Sequence, residues 1–585
     1  MDSGVRNEYA RRLEELRTEW TRSHSKHTAA AAILALLTGL VFMLGVNAVR
    51  RRVPVWWPAM PVPLGVVAAV EFRRLRAARS RTWRSIRYYE RSLRRVDGHW
   101  AGDGYRGAEF DRDGHLYARD LGIFGEGSLF EFLCVARTAI GRRRLAQWLL
   151  TAPTLAETAA RQTAVRDLAP RSDVREAVAV LGAYEFSEST WETLGVWLNA
   201  PATVFPRWLP AGAAIASTLT ACGILAAATG AVPWLQAARW VEPILLLQGV
   251  AALTVRTEVR RVLDATGPVS VEIAVLRDGV ALLEKERLGI QGAARTLGRL
   301  QRMLALLEQR DKDWFNLLFL LFLGKTQLCM AIERWRAEHG AGMRDWIERW
   351  GDFEALNALA TYAHENPDAV FPEVTADDAR LEAVGIGHPL LANEDCVRND
   401  VVLGEGTRFY VISGSNMSGK STLLRAIGLN AVLAYAGAPV RARSLRLARM
   451  QVCASLAVVD SLLNGRSRFL AEVERLRLTI EAAGSGPVLF LVDEIFSGTN
   501  SRDRRVAAEA VVQTLVARRA VGALSTHDMS LTEIAEAAGL GGANVHMGSR
   551  EAGDPMDFDY LLKPGATRET NALAIARMAG VPIGD

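Results

Sequence analysis

Residues Arg408 to Thr422 read RFYVISGSNMSGKST. They contain the spacing G-x-x-x-x-G-K-[ST]: Gly414, then Ser415, Asn416, Met417 and Ser418, then Gly419, Lys420 and Ser421. The apolar run Phe409 to Ile412 predicts a buried strand ahead of it, and Leu423 to Ala434 predicts a helix behind it. Strand, glycine loop and helix in that order are what a phosphate-binding loop requires. Glycines let backbone N–H groups turn inward around a phosphate, and the helix N-terminus adds partial positive charge. In such a loop Lys420 reaches the β- and γ-phosphates and Ser421 ligates Mg²⁺.

The partners such a loop needs come later in the chain. Val488 to Val492 is an apolar strand ending in Asp493-Glu494. The first carboxylate suits a Mg²⁺ shell; the second suits polarising an attacking water. Ala523 to Ser525 predicts another strand and leads into Thr526-His527, placed to sense a γ-phosphate. A DE pair alone reads as a solvated loop, and a lone histidine as structural. After an unbroken apolar strand and a phosphate loop, the catalytic reading is preferred.

These residues together resemble the MutS ATPases. Ser413 to Thr422, SGSNMSGKST, is similar to that family's TGPNMGGKST. Gly465 to Val473, GRSRFLAEV, resembles its S-T-F-M-x-E-M segment, and Val492 to Asn500, VDEIFSGTN, its M-D-E-I-G-R-G-T-S. Ser525-Thr526-His527 matches the A-T-H switch; Gly387-His388-Pro389, Asn399-Asp400 and Ala579 to Pro582 match the flanks. The resemblance implies an α/β phosphate-loop ATPase domain of ABC type that uses ATP and Mg²⁺ and works as a homodimer through the ATPase domains. It implies that Gly414 to Thr422 hold the phosphates, that Ser421 and Asp493 hold the metal, and that Glu494, Asn416 and His527 are catalytic. Ser467 would complete the partner's site in trans, followed by Arg468 where the family has threonine. The adenine-stacking positions fall on Cys396 and Tyr560, of which only Tyr560 can stack. Gly498-Thr499 would lie at the subunit interface.

The other segments are organised around membrane-length apolar stretches. The chain has 585 residues, half of them hydrophobic, a net charge of +5 and five scattered cysteines, which points to a reducing compartment rather than a disulfide framework. Residues 1–27 predict a polar helix, with no signal-type cleavage site after the apolar stretch that follows. Residues 28–72 predict a transmembrane hairpin. Thr28 to Val49 is long enough to span; Val53 to Val70, with four prolines, reads either as a broken span or as an interfacial segment. Ten arginines lie between Arg73 and Arg95. By the positive-inside bias they put the ATPase in the cytoplasm of a multi-pass, bacterial inner-membrane type protein. The same stretch suits anionic lipid, nucleic acid or a plain solvated face, with membrane proximity favouring lipid.

Residues 73–205 include DLGIFGEGSLFEFL (Asp120 to Leu133), TAIGRRRLAQWLL (Thr138 to Leu150) and Arg161-Gln162, which resemble the start of the all-α MutS core. Residues 206–256 predict a second transmembrane hairpin, its last segment carrying Glu242 near a helix end. Residues 257–372 predict a helical core and lever region, and 373–585 the ATPase. Trp314 to Leu323 reads as core or dimer interface. No counterpart of the family's mismatch-reading domain, connector or strand-rich clamp is legible, and Phe353-Glu354 falls mid-helix. The expectation is therefore an ATP-hydrolysing dimeric switch of mismatch-repair type tethered to a membrane, with membrane lipids as partners and DNA binding implied by the family alone. The alternatives are a transport or remodelling ATPase of ABC-like mechanics and a membrane-tethered, non-specific nucleic-acid binder.

Overall fold

The computed structural model describes residues 3–54, 56–112, 114–182, 190–286, 290–308, 319–415, 417–456, 468–497, 499–537, 539–548 and 557–567. They form two compact units, one of residues 1–135, 143–180 and 355–585, the other of residues 136–142 and 181–354.

The first unit begins with a long helical hairpin, α1 (Ser3–Val49) and α2 (Val62–Val96). The polar and apolar segments expected to be separate at residue 27 are one continuous helix, because helical hydrogen bonding is indifferent to whether side chains face water or hydrocarbon. The helices are antiparallel, with Tyr9 against Tyr89 at 5.5 Å, Arg79 over Trp20 at 4.5 Å and His27 against Phe72 at 4.9 Å. Val5, Tyr9, Leu13, Leu16, Ile86 and Tyr89 close a small core at its foot. There Arg95 pairs with Glu365 at 2.7 Å, the two side chains 13% and 4% exposed.

The strands of this unit are β1 (Glu373–Thr375), β2 (Leu381–Ile386), β3 (Asn399–Leu403), β4 (Phe409–Ser413), β5 (Ser444–Ala448), β6 (Gln451–Ser455), β7 (Val488–Val492), β8 (Val521–Thr526), β9 (Gly542–His546) and β10 (Lys563–Pro564). They build a four-stranded sheet in the order β1-β5-β2-β3 and a six-stranded sheet in the order β10-β9-β4-β8-β7-β6. From β9 to β6 the larger sheet is parallel. Its central strands are unbroken apolar runs, as strands covered on both faces must be. Helix α3 (Lys420–Ala436) follows β4 and is buried on nearly every side. A β-carbon on its Gly428 would stand 2.6 Å from Leu121 and 2.9 Å from Leu491, so glycine sets how closely this helix packs. Helices α4 (Arg468–Ser485) and α5 (Ser501–Ala517) lie in the same domain. Helix α3 starts at Lys420 rather than at Leu423, because the loop's polar KST makes its first turn. The smaller sheet has no counterpart in the sequence reading; its strands are short and alternate in burial.

The second unit is helical. Its elements are Thr190–Asn199, Leu209–Ala228, Trp234–Thr254, Arg256–Thr266, Ser270–Lys285, Ala293–Glu308 and the first part of Gly324–Glu365. Trp197, Ile273, Val280, Leu297 and Trp350 are buried. The Trp350 indole lies where a β-carbon on Gly279 would be 2.8 Å away. Glu354 sits mid-helix, as read, and is fully buried; it accepts from the Arg137 and Thr138 N–H groups at 2.8 and 3.1 Å and from the Thr138 hydroxyl. Burial pushes its carboxyl up to about 7.

Among the described residues two helices are long and apolar enough to cross a membrane, Gly4–Val49 and Leu209–Ala228, and a third span results if Trp234–Thr254 and Arg256–Thr266, bent by 65°, count as one. The second leg of the first hairpin does not meet that length. Only Val62 to Val70 of α2 is apolar before Glu71, about 14 Å of helix against a hydrocarbon core of about 30 Å. Glu242 is not near a helix end: it stands within Trp234–Thr254 and faces an apolar groove with Gly223, Val241 and Leu246. Residues 314–318 of the expected core segment lie outside the described residues.

Candidate nucleotide site

Strand register sets the site. Ile412 pairs with Ser525 and Ser413 with Thr526, while Val492 pairs with Leu524. The loop after β4, the carboxylates after β7 and His527 after β8 therefore emerge at one edge, the carboxyl ends of parallel strands, where α/β sheets bind ligands.

The loop between β4 and α3 curves tightly. Gly414 has φ +151°, and a β-carbon there would lie 2.3 Å from the Met547 carbonyl oxygen. Gly419 has φ +98°, with the Tyr560 ring 3.0 Å from its would-be β-carbon. Only glycine meets both conditions cheaply. Lys420 donates to the carbonyls of Gly414 at 2.9 Å and Ser415 at 2.7 Å. Burial pushes its ammonium down to about 8, a shift that the nearby Asp493 and Glu494 partly oppose. The Ser418 hydroxyl donates to the Ser415 carbonyl at 2.9 Å, whereas the Ser415 hydroxyl is buried without a partner among the described residues. Met417 is exposed with φ +68°. Ser421 and Thr422 line a cavity of about 780 Å³ together with Lys420, Glu494, His527 and Tyr560.

The two carboxylates are held differently. Asp493 donates its N–H to the Ser455 carbonyl at 2.9 Å and accepts from the Ser525 hydroxyl. The same hydroxyl accepts the Glu494 N–H at 3.1 Å. Ser525 thus bridges both acidic residues, a role the sequence reading did not assign; its signal was a hydroxyl one residue before Thr526-His527. Glu494 and Phe496 have φ +51° and +54°, the left-handed region that costs a side-chain-bearing residue energy. The turn is held by Glu472, which accepts the Phe496 N–H at 2.5 Å. Arg504 donates to the carbonyls of Phe496, Ser497 and Thr499 at 3.0, 3.2 and 3.1 Å. His527 Nε2 lies 2.8 Å from Glu494 Oε1, with both side chains about one-third exposed.

Toward the base side, Tyr560 lines the cavity and Asn399 fixes its backbone, donating to the Tyr560 carbonyl at 3.1 Å and accepting the Leu562 N–H at 2.7 Å. Cys396 does not line the cavity. Its thiol donates to the His388 carbonyl at 3.8 Å and fills the space beside Gly387, while His388 and Val397 line the cavity instead. Burial, then Arg425 and Arg441, push His388 down to about 4, leaving it neutral. Asn416, Ser467 and Gly498 lie outside the described residues.

The residues present fit a nucleotide triphosphate with Mg²⁺. Gly414 and Gly419 let the loop turn where a side chain would strike the Met547 carbonyl or the Tyr560 ring, and the Lys420 ammonium, with Ser421 and Thr422, lines the cavity so formed. Ser421 and Asp493 offer hard oxygen donors, which suit a cation that keeps several waters.

Residues 410–584 match the family model for MutS domain V. The chain is 36% identical over 250 residues to the DNA mismatch repair protein MutS of Sorangium cellulosum, covering 41% of this chain and 27% of that protein. It is 32% identical over 250 residues to the DNA mismatch repair protein MSH3 of Phaeosphaeria nodorum, covering 22% of the latter. A longer match, 27% identical over 517 residues, joins 78% of this chain to 58% of DNA mismatch repair protein MutS 1 of Halobacterium salinarum. The chain thus spans about a quarter of the first two relatives and rather more than half of the third.

Proposed function

This chain is a MutS-family protein, and from that premise we propose that it is an ATP-hydrolysing dimeric switch tethered to a membrane. The observation that carries the reading is the convergence of Lys420, Ser421, Glu494 and His527 on one cavity, with Asp493 joined to Glu494 through Ser525. The loop N–H groups and Lys420 bind and orient the triphosphate; Lys420 exchanges its two carbonyl partners for phosphate oxygens. Ser421 and Asp493 hold Mg²⁺, which supplies charge neutralisation at the transferring phosphate when bound. Glu494 orients the attacking water and takes up its proton, and His527 fixes the Glu494 carboxylate in position. Tyr560 stacks on the base. Asn416 and, from a second copy, Ser467 complete the site, so that ATP closes a homodimer and hydrolysis reopens it.

The apolar helices Gly4–Val49 and Leu209–Ala228 support the membrane tether. On this reading residues 28–72 and 206–256 are the two hairpins and the ATPase is cytoplasmic. The DNA mismatch repair relatives support a DNA-linked role for the switch. A second reading, a membrane transport or remodelling ATPase, is favoured by one observation: Glu242 stands in an apolar groove of the second hairpin, where an ionisable group is costly unless it serves a function.

ATPase rate of the detergent-purified full chain tests both, measured with homoduplex and mismatched DNA at two salt concentrations and again in liposomes. Mismatch-selective stimulation supports the repair switch. Stimulation by bilayer alone supports the second reading. No ATPase under any condition refutes both.

A further inference from the structure

The hairpin of α1 and α2 changes chemical character at one level on both helices. His27 packs on Phe72 with ring centroids 4.9 Å apart. Beyond them lie Thr28 to Val49 and Val62 to Val70, with Leu36 and Phe42 each 74% exposed. Before them, exposed Arg22 and Lys26 on α1 face the level of exposed Arg73, Arg74, Arg76 and Arg81 on α2. The register, with Arg79 over Trp20 at 4.5 Å, gathers these cations into one collar.

Their pairing differs from that of the arginines farther down the same hairpin. There Arg17 pairs with Glu90 at 2.7 Å, Arg12 with Glu176 at 3.2 Å, Arg6 with Asp97 at 2.8 Å and Arg95 with Glu365 at 2.7 Å. In the collar Arg74 stands 3.8 Å from Glu71, and Arg73, Arg76 and Arg81 have no acid within ion-pair distance among the described residues. Among the described residues, acid–arginine pairing thins to the single long Arg74–Glu71 contact where the apolar segments begin.

We propose that this collar binds the phosphate headgroups of anionic phospholipids and fixes the depth of the first hairpin. The proposal rests on the membrane tether proposed above. From Arg73 to Arg81 the helix rises about 12 Å, which arginines of ordinary reach match to a headgroup layer of roughly 5–8 Å on each face. Guanidinium groups bind phosphate in bidentate fashion. Trp20 and Trp83 flank the collar, as aromatic anchors do at a bilayer interface. A nucleic-acid duplex has the same phosphates, but lying on the collar it would press against the exposed apolar faces of both helices; a bilayer buries them.

The test compares the full-length chain with a variant carrying Arg73→Gln, Arg74→Gln, Arg76→Gln and Arg81→Gln. Both are reconstituted in vesicles of phosphatidylcholine with a minority of phosphatidylglycerol. Flotation after alkaline washing reads insertion, and the lipid retained on re-extraction reads selectivity. Each surface cation is worth about fivefold, so the natural chain should retain phosphatidylglycerol at least about tenfold above its bulk share, and the variant should float equally well with bulk-like lipid. Equal enrichment in both, or none in either, overturns the proposal while leaving the tether standing. So does a variant that loses only salt-dependent DNA binding, which would make the collar a nucleic-acid surface. A natural chain that fails to float overturns the tether itself, and the collar with it.

Discussion

Lys420 makes nucleotide affinity depend on pH above neutrality. Its ammonium is buried against two loop carbonyls and pushed down to about 8 by the loss of water. A bound triphosphate surrounds the ammonium with negative charge and restores the ordinary value near 10.5. The sign follows directly. Below pH 8 the amine is already protonated, and affinity is independent of this group. Above pH 8 each binding event must take up a proton, and affinity falls tenfold per pH unit until the value in the complex is reached. Between pH 8 and 9.5 the expected loss is about 15-fold, and relative to neutral pH about 30-fold. The assay is titration of a slowly hydrolysed ATP analogue from pH 7.5 to 9.5, with proton uptake read by calorimetry in buffers of different ionisation enthalpy. Lys420→Arg is the control: a guanidinium stays charged throughout, so the dependence should flatten even if overall affinity drops. A flat profile in the natural protein, or an identical slope in Lys420→Arg, would refute the reasoning.

Other residues of the site and its support make separate predictions. Glu494→Gln should lower single-turnover hydrolysis about 10²–10⁴-fold while leaving nucleotide affinity nearly unchanged, read by rapid-quench and equilibrium binding on the same preparation. Ser525→Ala unpairs Asp493 and the Glu494 N–H together; Mg²⁺ dependence of hydrolysis should shift to about 10–100-fold higher metal, with little change in metal-free nucleotide binding. Arg95→Ala leaves Glu365 buried without its cation and should cost about 3–5 kcal/mol locally, seen as faster amide exchange over residues 85–96. Replacing both partners, Arg95→Met with Glu365→Leu, should recover most of that protection.

Much of the ATPase was legible because its signals are short and local. Phe409 to Ala434 reads as strand, loop and helix from its apolar runs and glycine-lysine spacing, and Val488 to Glu494 reads as a strand ending in carboxylates. Less was legible where contacts join distant segments. In the four-stranded sheet, β5 pairs with β1 and β2 across long stretches of chain, as Glu373 does with Arg446 and Leu381 with Leu447. Ser525 looks like an ordinary strand residue until β8 is laid beside β7. Of Cys396 and Tyr560, the two stacking positions that the resemblance implied, only Tyr560 lines the cavity. The thiol is small enough to tuck under Gly387, and His388 takes the cavity face. The membrane-length segments were visible as uncharged runs, yet the sequence did not reveal that the polar start and apolar end of α1 are one helix. Nor did it place Glu242 in the middle of a helix rather than near its end.

By itself, then, the amino-acid order marked out the local signals: a glycine-lysine loop spacing, a pair of carboxylates after an apolar strand, a Thr-His pair and apolar stretches of membrane length. Those depend on residue type and near-neighbour spacing, which the chain carries openly. The tertiary structure decided which groups act on one another. Parallel register brought Ser525 to both acids and His527 within 2.8 Å of Glu494. Burial drove Lys420 well below its ordinary value, and the antiparallel register of α1 and α2 drew cations some fifty residues apart into a single collar. Strand order, helix register and loss of water are properties of packed neighbours, and a packed neighbour is set by the fold as a whole rather than by any local stretch.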